Sequence, residues 1–496
     1  MGEQGAAKAT QSVSPSDGAI DIVARLEAIE AENARLRLES QELRETTKQL
    51  RMLVASEGDA SAKQSLQQPV EQAGFTSQLF GCSCDTPGCD GCSTNCADCG
   101  KAVCEGMPHL CGVCLEDLGW NKAGGWRIVP FGRLRGDFIY SSAAYTNDAV
   151  IVFLNPNNPG VNEDSQAVTA KQSQINFAIT GPKCKGWQTG GLVLINFMGA
   201  QPLRNFSGAN IVNAYGEIKN DRWRFAFGRM LDLFGPIAPR TVNQISQRGA
   251  GNIGIYRGVF NIDRYITLND AHRWTITSRI SQPDISDYAA VPAINGQNNG
   301  WPNIEARVGV ELGPTQKFGR PIEIGISGVV GEIQAVLPAL AGGLIRPAAD
   351  DVAQTRGVCV DAQFRGERFG FRGEGWWGEA AGTYFVASLQ TVNPETNQGI
   401  DSVGGWGELY WNLSPRMTTH VGYGIDDPKN SDLGFLDRVN GPGQISLNDV
   451  AWWNLLFNVT EYFELGFEIS HRRTNFIDAN SDNDATLYHF SSSLNF

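Results

Sequence analysis

From Trp126 to Phe496 the chain alternates between apolar and polar side chains, in segments of about ten residues broken by Gly, Asn, Asp and Pro. Period-two alternation is the signature of a strand with two unlike faces. Trp126, Ile128, Leu134, Phe138 and Tyr140 share one parity, and Arg127, Arg133, Arg135 and Asp137 the other. Trp274, Ile276 and Ile280 oppose Arg273, Thr275, Thr277 and Arg279. Ile304, Ala306, Val308, Val310 and Leu312 oppose Glu305, Arg307 and Glu311. Phe463, Leu465, Phe467 and Ile469 oppose Glu464, Glu468, Ser470 and Arg472. The last segment sets Tyr488, Phe490, Leu494 and Phe496 against His489, Ser491, Ser493 and Asn495.

Two architectures alternate in this way. A sandwich turns its apolar face inward, whereas a membrane barrel turns it toward lipid and keeps charge inside. Three features select the barrel. Segments of about 9–11 residues cross a bilayer at a tilt. Aromatic residues gather near segment ends, as at Trp126, Tyr140, Trp376 and Trp377, in the manner of interfacial girdles. Tight turns at Lys219-Asn220-Asp221, Ser414-Pro415-Arg416 and Val459-Thr460-Glu461 alternate with long polar connections at 231–252, 281–301 and 425–448. The expectation is an all-β transmembrane barrel over 126–496 with 16 antiparallel strands, or 18 as the alternative. The run 148–153 is left out of the count. A barrel of 16 strands encloses an aqueous channel.

Composition excludes other classes. Among 496 residues, 19% are charged and the formal net charge is −13, which argues against a nucleic-acid binder. No run approaches the roughly 18 apolar residues of a membrane-spanning helix. The longest apolar stretch, Ile333 to Ile345, is broken by Pro338, Gly342 and Gly343.

The first 125 residues read differently. Residues 1–18 are a small, polar tail. Over 19–54, Ile22, Ile29, Leu36, Leu43 and Leu50 recur every seven residues, interleaved with Leu26, Asn33, Ser40, Thr47 and Val54. That heptad predicts an α-helical coiled coil and hence an oligomer. A linker covers 55–80. A Cys-rich segment, 81–118, holds nine of the 11 cysteines: Cys82, Cys84, Cys89, Cys92, Cys96, Cys99, Cys104, Cys111 and Cys114. Three CxxC pairs among them read either as disulfides in a core-poor segment or as a metal site, zinc being the metal that such pairs and nearby His109 suit. No other cofactor is expected.

The barrel region resembles outer-membrane porins, and most closely the DcaP-type trimeric porins, which join a coiled coil to a 16-stranded barrel. The resemblance rests on the opening strand Phe131–Tyr140, on Asn213–Glu217, on Ala226–Pro236, and on the terminal strand Tyr488–Phe496, which ends in an aromatic residue like the assembly signal of such barrels. It implies a homotrimer in the lipid of the bacterial outer membrane, a periplasmic N-terminal segment, and passive diffusion of small hydrophilic solutes. It also implies export, yet Met1–Lys8 carry no apolar secretory core; the natural start is expected upstream.

Within that framework the expected pore-lining residues are Arg133, Arg135, Asp137, Arg224, Arg273, Arg279, Glu305, Arg307, Arg368 and Arg372. The Arg-heavy early strands imply a weak preference for anions. Tyr488, Phe490, Leu494 and Phe496 are the expected assembly signal. The segment 231–252 is expected to fold inward, and 331–354 is either an external loop or a plug. No GxSxG, HExxH or Walker pattern is present, and His420 and His489 read as polar lining, so no enzymatic activity is expected. The alternative function is a structural anchor, with the coiled coil reaching toward a cell-wall component.

Overall fold

The structure, a computed structural model, describes residues 120–122, 125–145, 151–157, 164–199, 208–243, 245–283, 301–315, 319–334, 352–393, 395–396, 398–435 and 443–496. Of the two compact units, Met1–Pro69 and Val70–Phe496, these residues all fall in the second. The tail, coiled coil, linker and Cys-rich segment anticipated over 1–118 lie outside the described residues.

Eighteen strands follow in chain order: β1 (Trp120–Lys122), β2 (Trp126–Ser141), β3 (Ser165–Thr169), β4 (Gln174–Cys184), β5 (Trp187–Gly199), β6 (Gly208–Lys219), β7 (Trp223–Leu231), β8 (Tyr256–Asn269), β9 (His272–Ser281), β10 (Asn303–Leu312), β11 (Ile322–Gln334), β12 (Val352–Arg365), β13 (Phe369–Glu379), β14 (Asp401–Ser414), β15 (Met417–Pro428), β16 (Ile445–Asn458), β17 (Phe463–Phe476) and β18 (Asn483–Asn495). Neighbours pair antiparallel throughout. The ring closes where β18 pairs β2, with Leu494 opposite Leu134 and Leu487 opposite Ser141. β3 and β4 are two halves of one stave, both paired to β2 and parted by 170–173. β1 is an extra strand laid against Trp126–Ile128. The closed barrel therefore has 16 staves, as the alternation predicts.

The alternation sets the faces. Along β9, Trp274, Ile276 and Ile280 are exposed on the outer surface, while Thr277, Arg279 and Ser281 are buried toward the lumen. Leu134, Phe138, Val358, Val360, Val421, Tyr488, Phe490 and Leu494 extend the same outer band. Apolar side chains outside and buried carboxylates and guanidiniums inside are the inverse of a water-soluble sandwich.

The six connections of two to four residues that join successive staves, after β4, β6, β8, β12, β14 and β16, lie at the rim where β2 begins and β18 ends. Their residues fit the geometry. Lys185 and Gly186 both take positive φ in a two-residue hairpin. The Asn220 side-chain oxygen accepts from the Arg222 and Trp223 N–H groups, each at 2.8 Å, closing an Asx turn. Aromatic rings crowd this rim: Trp223 stacks with Phe225 at 6.2 Å, and Phe369 packs between Phe364 and Trp411 at 5.9 and 6.0 Å.

Several boundaries differ from expectation. Of 331–354, the two ends are wall strands, because β11 runs to Gln334 and β12 starts at Val352; only 335–351 remains, outside the described residues. The connection expected over 425–448 shortens to 429–444, since the alternation continues through Ile425 and Asp427. Of the run 148–153, the described residues 151–153 belong to no strand. Ile151 to Leu154 are buried, and Val152 O accepts from Asn448 and Arg472 of the wall.

Candidate functional site: the braced lumen

After β7 the chain turns into the barrel and does not re-emerge until Tyr256. Segment 232–255 lies along the inner wall, fastened by a series of wall carboxylates that accept from its backbone N–H groups. Leu233 donates to Glu305 Oε2 at 2.8 Å, Ile237 to Glu374 Oε1 at 2.8 Å, Arg240 to Glu408 Oε2 at 2.8 Å and Val242 to Glu468 Oε2 at 2.7 Å. These acids sit on β10, β13, β14 and β17, so the loop runs across the lumen from one side of the barrel to the other. Wall donors reach the loop's carbonyls in return: Trp376 Nε1 to Gly251 O at 2.6 Å, Asn454 Nδ2 to Arg240 O at 2.9 Å, and Arg135 Nη2 to Val242 O. A buried charge is tolerable only when paired or hydrogen-bonded, and here the loop's own backbone supplies the bonds.

Asp232 anchors the base of the loop. Its carboxylate accepts from Gly235 N at 3.2 Å and Ile255 N at 2.7 Å, and lies 3.6 Å from Arg257. Burial outweighs the nearby guanidinium and pushes the Asp232 carboxyl up to about 6.

A second segment, 380–400 between β13 and β14, also folds inward. Its two short 3₁₀ turns, Gly382–Tyr384 and Val386–Leu389, bury Tyr384, Val386 and Ala387 against Phe234 and Ile253 of the first loop and Trp376 of the wall. The lumen thus contains an apolar cluster of its own. Sequence reading misses this segment, because its small and apolar residues continue the wall's pattern past Glu379. Pro394 and Gly399, which break a strand, are the available signal.

The predicted site residues are mostly paired. Arg135 and Asp137 are buried and bonded, Nη2 to Oδ1 at 2.6 Å, with His489 Nε2 2.7 Å from the same oxygen. Arg224 bridges Glu217 at 2.6 Å and Asp263 at 2.9 Å. Arg307 bridges Asp361 at 2.6 Å and Glu323 at 3.3 Å. Arg372 holds Glu408 at 3.0 Å, and Arg279 lies 3.9 Å from Glu305. Arg273 lies 3.9 Å from Glu311 and over the Tyr265 ring. Arg133 shares the inward parity of Arg135, and its Nε is buried with no acceptor among the described residues, as is the Nε of Arg248 in the first loop. Arg368 does not belong to this set. β12 ends at Arg365, and Arg368 is exposed in the turn 366–368, where its carbonyl accepts from Asn412 N. Tyr488, Phe490 and Leu494 lie on the outer face of the closing strand, and Phe496 exchanges backbone bonds with Gly132 at 2.8 and 3.0 Å. The nine clustered cysteines lie outside the described residues. Cys184 and Cys359 are free thiols, exposed and buried respectively.

A closed antiparallel barrel of 16 staves, apolar outside, charged inside and crossed by an inward loop, has the fold of outer-membrane channels. Among solved structures, the outer membrane channel DcaP of Acinetobacter baumannii resembles it with a TM-score of 0.60 at 17% identity, over 76% of this chain and 100% of that one. An anion-selective porin from Comamonas acidovorans follows at 0.49 and 9%, over 75% of this chain and 100% of that one. OprB of Pseudomonas putida follows at 0.45 and 11%, over 75% and 94%. The sequence matches no family model and no curated protein.

Proposed function

We propose that this protein is an outer-membrane porin that passes small hydrophilic solutes through a water-filled lumen. The observation that carries the reading is the inversion of the wall. An apolar band faces outward on every side, while Arg135, Asp137, Glu305, Glu374 and Glu468 are buried inward. Such an exterior suits lipid, and a 16-stave lumen is wide enough for water. Segment 232–255 narrows it.

A weak preference for anions follows from how the charges are used. The carboxylates Glu305, Glu374, Glu408 and Glu468 are each engaged by loop backbone. The Nε donors of Arg133 and Arg248 have no acceptor among the described residues. With those carboxylates satisfied, the guanidiniums of the lining weigh more in the field that a passing ion meets. Three copies associate through their outer walls, in keeping with the heptad repeat over 19–54.

Single-channel recording in planar bilayers under a salt gradient tests this. The expected result is large ohmic steps arriving in threes, with a reversal potential on the anion side. A cation-side potential overturns the selectivity, and silence from folded, heat-modifiable protein overturns the channel.

A further inference from the structure

The first inward loop is not held by the wall alone. We propose that Tyr384 is a positioning residue that pins segments 232–255 and 380–400 into one constriction element, so that the second loop sets the pore's cross-section together with the first. The inference rests on the porin reading.

Every part of Tyr384 is engaged. Its carbonyl accepts from Gly254 N of the first loop at 2.8 Å. Its ring meets Phe234 edge-on, with centroids 5.6 Å apart. The Arg257 guanidinium carbon lies 3.6 Å from the ring centroid, and Arg257 Nη2 also donates to Thr383 O at 2.9 Å. The hydroxyl accepts from Asn303 Nδ2 at 2.8 Å and donates to Glu305 Oε1 at 3.0 Å. The other oxygen of Glu305 is the one that accepts from Leu233. One wall carboxylate therefore clasps both loops, through the tyrosine hydroxyl on one side and a backbone amide on the other.

A second clasp lies further along. Ser388 Oγ donates to Gly249 O at 3.2 Å, and Ser388 N donates to Asp426 Oδ2 at 2.7 Å. Gln390 exchanges two bonds with the Ile445 backbone, each at 2.8 Å.

The backbone of the second loop is strained where these contacts act. Ala380, Phe385, Ala387, Ser388 and Leu389 all have φ between 47° and 70°, and none is glycine. L-residues with a Cβ disfavour that region and stay there only when surrounding contacts hold them. An unsupported segment would relax to another conformation. The pin and the strain therefore act in opposition, and removal of the pin lets the pair of loops separate.

The test uses Tyr384→Ala, Tyr384→Phe and the outward-facing control Tyr423→Phe, each refolded and checked for heat modifiability. Trypsin has targets after Arg240 and Arg248, both in the first loop. The folded wild type and the control are expected to resist cleavage there. Tyr384→Ala is expected to be cut severalfold faster at these two sites, and Tyr384→Phe, which keeps the ring but loses the link to Glu305, at an intermediate rate. In bilayers, the step size of Tyr384→Ala is expected to rise above wild type, with partial rescue in Tyr384→Phe. Wild-type protection in folded Tyr384→Ala overturns the proposal. Should that variant fail to fold, wild-type protection in Tyr384→Phe overturns it instead. A silent wild-type channel overturns the porin reading and leaves the proteolysis to judge the pin.

Discussion

Gly251 is a point of close approach between the inward loop and the wall. Its φ is +91°, and a Cβ there would strike the Gly405 carbonyl oxygen. Gly251→Ala is therefore expected to lift the loop and lower stability by about 1–2 kcal/mol from the left-handed backbone alone, read as a lower temperature of the heat-modifiability transition. Asp232 gives a pH prediction of opposite sign to ordinary acid sensitivity. Its folded pKa, about 6, lies above the ordinary aspartate range. The folded state binds this proton more tightly, so the contribution grows as pH falls from about 6 toward 4 and is absent at higher pH. Between pH 7 and 5 the wild type should firm relative to Asp232→Asn, and a wild type that weakens relative to the variant refutes the assignment. At this scale the sequence shows which way a side chain points, because parity decides it. It does not show what the side chain holds. Glu374 and Glu468 are legible as inward acids, but their partners are amides 137 and 226 positions away on a loop with no period of its own.

Among elements, the staves were readable and the lumen contents only half so. Strand length, turn residues and aromatic ends depend on local chemistry, and Asn220 and Lys185-Gly186 each dictate a turn from within a few residues. Segment 232–255 announces itself through Gly235, Pro236 and Pro239, which cannot continue a stave. Segment 380–400 does not, because its inward course is fixed by Tyr384, Ser388 and Gln390 reaching partners on other elements. Arg368 was misplaced for a related reason: parity was extended across a turn whose position depends on Gly366 and the β12–β13 register. The carboxylates fastening the first loop act as separate anchors. Glu468→Ala leaves the Val242 N–H and the Gln247 side chain without their acceptor. It is expected to lose about 1–3 kcal/mol, measured by urea titration in detergent, with the rest of the barrel still folded.

For the whole molecule, the apolar outer band fits a lipid surround, and the proposed trimer has a direct test. Chemical cross-linking in detergent should yield a three-copy band for the full chain. Deletion of Phe496 removes the two backbone bonds to Gly132 and the last ring of the outer band. The expected result is loss of the heat-modifiable folded form, and normal closure of the truncated chain would count against the closing strand's role. That seam also governs timing. It joins His489 to Asp137 across 352 positions of chain, whereas the other strand pairings among the described residues join strands adjacent or nearly adjacent in sequence. Hairpins can form between neighbouring segments, but closure has to wait for the last strand, and such distant pairing is intrinsically slow. Until it occurs, β2 and the growing end are both open edges that invite pairing with other chains. The interval between synthesis and closure is thus the period of greatest aggregation risk, and any factor that shields β2 during it would raise yield without altering the finished barrel.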